Sequence, residues 1–258
     1  MNFSTIELDK KIITANTKMK IVFLPVILFY FNCYGQTCVM AVKTKDKLYI
    51  GADSRAFRIR DTIINGKTVT DSMPSTVCKI YNAGSFYFSM AGIANADIIR
   101  DMKIIGAYTK NMHEVSKLVY DSVSKRYFNW IYKEENKSLL KKQLGKNNRL
   151  ISFFIYGHIE MNPYFQMIEL YDRGGIGVAQ KFNFDSTEGV KFMVIGHHES
   201  FPTEKEVLQK LIKSNFTSVI NSLIKRETKI TPYVALPIDL IELSKNGVRW
   251  IQRQKICN

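Results

Sequence analysis

Cysteine is scarce in this chain, with four in 258 residues, far below the density of a disulfide scaffold. Histidine is equally sparse. Its one adjacent pair, His197 and His198, would point to opposite faces of a strand, which makes a poor chelating couple, so neither a metal nor a cofactor is expected. The leader's apolar run, Ile21 to Phe31, falls short of the roughly 20 residues a transmembrane helix needs. The formal net charge of +14 is spread over helical and linker segments, and no basic run carries interleaved aromatics that would stack bases. Nucleic acid is therefore not an expected partner, and the charge reads as solubility plus affinity for acidic envelope surfaces. What remains is ample core material: 46% hydrophobic and 12% aromatic residues, in a length that suits one domain plus a leader.

Residues 1–36 read as that leader. Met1 to Lys18 is polar without a clear period; Met19-Lys20, the apolar run and the small or polar tail Asn32-Cys33-Tyr34-Gly35-Gln36 then follow the plan of a secretory signal peptide. Met19 is expected to be the true start, and the protein to be exported to a periplasmic or extracellular space. Two alternatives stay open: an uncleaved signal anchor, which would be the only membrane attachment, and a lipidated Cys33. The small residues at Cys33 and Gly35 place a signal-peptidase cut after Gly35, which leaves Gln36 in front of Thr37.

The stretch from Gln36 to Ala56 organises the chain, whose body is residues 37–258. Thr37 to Lys43 and Leu48 to Ala52 flank a Lys-rich turn and read as a buried hairpin with a hydroxyl residue at its start. A new N-terminus at Thr37 would join nucleophile and general base in one residue. Its α-amine, titrating near pH 8, is partly unprotonated at neutrality and can take the proton of the hydroxyl.

Thr37, the block Gly51-Ala52-Asp53-Ser54-Arg55-Ala56, the pair Lys79-Ile80 and the segment Ser89-Met90-Ala91-Gly92 together resemble the proteasome β subunits and related N-terminal-nucleophile (Ntn) hydrolases. The resemblance covers Thr37 to Asp97, with an interval between Asp53 and Lys79 about ten residues longer than the family pattern. It implies Thr37 as nucleophile, Asp53 and Lys79 setting orientation and charge, the Gly92 N–H as oxyanion donor, and Arg55 with Ser54 in the supporting network. It also implies that Cys38 and Cys78 lie close together beneath the site, either as a disulfide or as two small buried side chains; Cys257 would be a spare thiol, and Cys38 a nucleophile only if Thr37 were lost. Three segments depart from the pattern. Gln36 stands where a glycine precedes the threonine, Gly196 to Ser200 replaces a Gly-Ser segment, and Thr231 to Pro237 lacks the usual aspartate and serine. His197 and Thr231 are the residues available there as support.

Beyond the motifs, Phe57 to Thr76 suits a surface hairpin or lid, and Val77 to Tyr81 with Phe86 to Met90 a strand pair. Asn95 to Tyr132 has helical periodicity with a break near Lys110 to His113, where His113 reads as a surface cap. Leu150 to Tyr156, Phe165 to Leu170, Ile176 to Phe184 and Val190 to Ile195 read as strands, Glu204 to Ile224 as a helix kinked near Ser214-Asn215, and Val234 to Leu243 with Val248 to Gln252 as a closing hairpin. Strands and helices that come in groups predict an α+β fold of two antiparallel sheets packed face to face with helices outside. That is the four-layer αββα sandwich the resemblance implies. The sequence therefore predicts an exported threonine-type endopeptidase or amide hydrolase acting on a peptide or amide, open to homo-oligomerisation. A non-catalytic binding or structural subunit, membrane-anchored through its leader, is the alternative.

Overall fold

The computed structural model describes residues 32–255, apart from 36, 65–66, 138–139, 141–147 and 185–188; the leader up to Phe31 and Cys257 lie outside them. The chain is α+β, and every strand pairing among the described residues is antiparallel. The larger sheet has the order β10(Gly177–Asn183), β9(Asn162–Asp172), β8(Arg149–Ile159), β7(Tyr87–Asn95), β1(Asn32–Gly35), β4(Arg55–Ile64), β5(Lys67–Thr76), and the short β6(Tyr81–Asn82) pairs with β7. The smaller sheet runs β11(Lys191–Gly196), β2(Cys38–Lys43), β3(Lys47–Ala52), β12(Asp239–Ser244), β13(Gly247–Gln252).

Period-two alternation explains how these strands are covered. Val39 and Ala41 of β2, Leu48 and Ile50 of β3, and Ile241 and Leu243 of β12 share one apolar cluster with Ala91 of β7, Phe154 and Tyr156 of β8, and Phe165 and Met167 of β9. The alternate residues of the larger sheet, including Phe88, Phe153, Ile155 and Ile168, pack on the helices α1(Ala96–Tyr108), α2(Met112–Leu118) and α3(Ser124–Ile131). Those of the smaller sheet, Cys38, Met40, Val42 and Leu240, pack on α4(Glu204–Lys213) and α5(Phe216–Glu227). Both faces of β2 and β3 are thus covered, which is why their sequences read as nearly continuous apolar runs.

The structure refines several boundaries. The helical stretch after β7 breaks at Asn111, whose side chain caps α2 by accepting from His113 and Glu114 N–H; the cap is Asn111, and His113 sits within the first turn, edge-on to Tyr164. α2 passes into α3 through a π-type turn, Val119–Val123. The kink expected near Ser214 is a full break, because Asn215 caps a new helix through Thr217 and Ser218 N–H. Val77 to Ile80 and Val234 to Ile238 are not strands. Their backbone groups instead serve the site described next, as with Ser54 C=O accepting from Val77 N–H at 2.8 Å.

Candidate active site

β3 ends at Ala52, and the next residue turns its carboxylate back onto the chain. Asp53 is fully buried and accepts from Arg55 N–H two residues on, a local turn that Asp favours at such a strand end. Its Oδ1 accepts from Thr37 Oγ1 at 3.1 Å, from Cys38 N–H at 2.9 Å and from Lys79 Nζ at 2.9 Å. Its Oδ2 accepts from Arg55 N–H at 2.9 Å and Ala235 N–H at 3.2 Å. Five donors satisfy this one buried carboxylate and fix the Thr37 hydroxyl at its side.

Lys79 is 3% exposed, on the segment between β5 and β6. Burial pulls its ammonium below the usual lysine range, and the Asp53 carboxylate opposes that shift. A buried pair of this kind holds together only if both members stay, since either alone is an uncompensated charge. Thr37 has the same parity as Val39 and Ala41, so its hydroxyl lies at the end of the space between the two sheets.

The remaining predicted residues are distributed as follows. The Arg55 guanidinium donates to Pro232 C=O at 2.6 Å, so only its backbone N–H reaches Asp53. Ser54 acts through Ala235, whose C=O accepts from both Ser54 N–H and Oγ. Gly92 lies inside β7, between Gly35 of β1 and Ile151 of β8, with φ +121. A Cβ there would stand 2.3 Å from Leu150 C=O, so glycine is required by the close approach of β8. The Thr231 hydroxyl accepts from Tyr233 N–H at 3.3 Å. His197 donates its N–H to Thr37 C=O at 2.6 Å and stacks its ring on Tyr233 at 5.2 Å. Burial lowers the imidazole pKa.

Cys38 is a free, buried thiol on the helix side of β2, and burial pushes its pKa up. Cys78 is disulfide-bonded. Of the two arrangements left open for Cys38, a disulfide with Cys78 or a small buried side chain, the second is the one observed.

Four features escaped the sequence reading. Gly196, at φ +86, lets Thr37 C=O pass so closely that a Cβ would stand 1.6 Å from it. The N–H groups of His197 and Ala235 are backbone donors and carry no sequence signal. Glu227 is fully buried in the last turn of α5 and accepts from Ser200 N–H at 3.0 Å and from its hydroxyl, tying the loop after β11 to the helix. Its position did carry a signal: it continues the stripe Ile220, Leu223, Ile224, so an acid stands on an apolar face.

No family model matches the chain, and no curated protein does. Among solved structures the chain is similar to Anbu from Hyphomicrobium sp. strain MC1, at 15% identity over 85% of this chain and 87% of that one, with a TM-score of 0.47. It is also similar to the Gly-1 mutant of that protein, at 17% identity over 85% and 86%, with a TM-score of 0.46. Membership of the proteasome β-subunit family, expected from the motifs, is thereby corrected: no family model carries it, and likenesses this distant cannot stand in for one.

Proposed function

We propose that the chain is an exported threonine-type amide hydrolase, an endopeptidase in its simplest form, whose nucleophile is Thr37 exposed as a new N-terminus. The observation that carries this reading is the Thr37 hydroxyl donating into a fully buried Asp53–Lys79 pair at the start of a doubly covered strand. A threonine that served only as a strand residue has no need of a buried carboxylate and a buried ammonium.

In the mature chain the α-amine of Thr37 takes the proton from Oγ as Oγ attacks the scissile carbonyl carbon. The Lys79 charge stabilises the developing alkoxide and lowers the amine's pKa, while Asp53 holds Lys79 and orients the hydroxyl. Gly92 N–H serves the oxyanion. The proton passes from the α-amine to the leaving nitrogen, which departs as an amine and leaves an ester on Oγ. Water, deprotonated by the α-amine, then cleaves that ester and restores the hydroxyl.

β1 supports the same reading. Asn32–Gly35 lies between β7 and β4, pairing Tyr34 with Ile93 and Phe57 and Gly35 with Gly92. Removal of the leader would leave a slot one strand wide, about 10 Å between β7 and β4, and the acyl side of an extended peptide would take its place with main-chain hydrogen bonds on both edges. Helices outside two facing sheets give the four-layer αββα arrangement that frames this slot. Export is supported by the plan of residues 19–36 and by the disulfide at Cys78, which needs an oxidising compartment.

The test is covalent labelling. Mature protein is treated with a peptidyl β-lactone and digested, and the modified residue is located by mass. Modification of Thr37 that Thr37→Ala abolishes is expected; an unmodified Thr37 together with intact peptide substrates would replace this reading with that of a non-catalytic binding subunit.

A further inference from the structure

The leader strand marks the acyl side of the site, because β1 runs between β4 and β7 and ends at Gly35, two residues before Thr37. The leaving group must therefore emerge on the opposite flank. Two further segments stand beside Thr37 and Asp53: the loop after β11, whose His197 N–H holds Thr37 C=O, and the segment from Thr231 to Pro237, whose Ala235 N–H holds Asp53. The second segment is pinned at several points: Arg55 to Pro232 C=O, Ser54 to Ala235 C=O, Tyr233 N–H to Thr231 Oγ1, and the buried side chain of Val234.

A segment fixed this firmly presents large apolar side chains to solvent. Tyr233 is 37% exposed with its ring stacked on His197, and Leu236 is 51% exposed. Both stand beside the residues whose N–H groups hold Thr37 and Asp53, Tyr233 against His197 and Leu236 next to Ala235. Half-buried and with its pKa lowered by that burial, the His197 ring is neutral at neutral pH and adds apolar surface without charge.

Resting on the hydrolase reading above, we propose that Tyr233, backed by His197 and flanked by Leu236, forms the specificity wall for the leaving-group side, selecting an aromatic or bulky aliphatic residue immediately after the scissile amide. The occupant is the first side chain of the departing fragment. Its ring or branch packs on the Tyr233 face, and a charged residue there loses solvation without gaining a partner.

The experiment uses mature protein and a set of peptides identical on the acyl side, with Phe, Leu, Ala, Lys or Asp after the scissile bond. The readout is the ratio of kcat/KM between the Phe and Asp peptides, in which any change common to both cancels. A ratio on the order of 10 to 100 is expected for the native chain, falling to within about threefold of unity in Tyr233→Ala. Tyr233→Arg is the second variant, since it should turn the preference toward Asp. Cleavage without a preference for Phe or Leu, or a preference that Tyr233→Ala and Tyr233→Arg leave in place, overturns the inference while the hydrolase reading stands. Absence of both cleavage and Thr37 labelling overturns the hydrolase reading itself, and the wall with it.

Discussion

Asp53 decides more about this chain than any other single residue. Its five donors come from Thr37 and the start of β2, from the start of β4, from the segment before β6 and from the loop before β12, so one carboxylate ties these parts of the chain to the Thr37 hydroxyl. Asp53→Asn leaves Lys79 buried without an anion and should lower the unfolding free energy by about 3 to 5 kcal/mol, read by urea denaturation. Gly196→Ala acts differently. Its Cβ would collide with Thr37 C=O at a backbone angle that L side chains rarely adopt, so the nucleophile must shift. Thr37 labelling should slow by about 100-fold, the scale of an ångström's misplacement. Thr37, Asp53 and Lys79 stood out in the sequence through the order and spacing of the motifs that carry them, and hydrogen bonds join the three side chains. The donors from His197 and Ala235 were not, since a backbone N–H looks the same at every position.

Period and capping made most elements readable. β2, β3, β7, β8 and β9 alternate as they must when one face meets the other sheet and the other face meets helices. Boundaries failed where backbone groups left the ladder to serve the site, as in 77–80 and 234–238, because apolar composition there reflects burial and not strand pairing. β1 was read only as the tail of a leader; its four residues have no strand signal of their own and pair because β4 and β7 flank them. Packing of α5 on β3 is close at Gly51, where a Cβ would stand 2.2 Å from Ile220 Cγ2. Gly51→Ala should cost about 1 to 3 kcal/mol, and Ile220→Ala in the same chain should recover part of that loss. A double-mutant cycle by chemical denaturation measures the coupling, and strictly additive effects would show that α5 does not pack at this distance.

At the scale of the whole molecule, the grouping of strands and helices pointed to two antiparallel sheets, while their order within each sheet was beyond the sequence because it depends on contacts between distant segments. Titration also reaches this scale. The native His197 pKa lies below its usual value, so in the window beneath about pH 6.5 the unfolded chain binds more protons at this site than the folded chain. Stability therefore rises with pH across that window and falls on acidification. His197→Gln should flatten the slope of the melting temperature between pH 7 and pH 5; an unchanged slope would place the imidazole in open solvent.

The most direct measurement is the intact mass and N-terminal sequence of the protein recovered after expression of the full chain, beside Thr37→Ala. The account predicts that the native chain begins at Thr37 and that the variant keeps a longer leader. A native chain that begins before Thr37 has no free amine on its nucleophile and would contradict it.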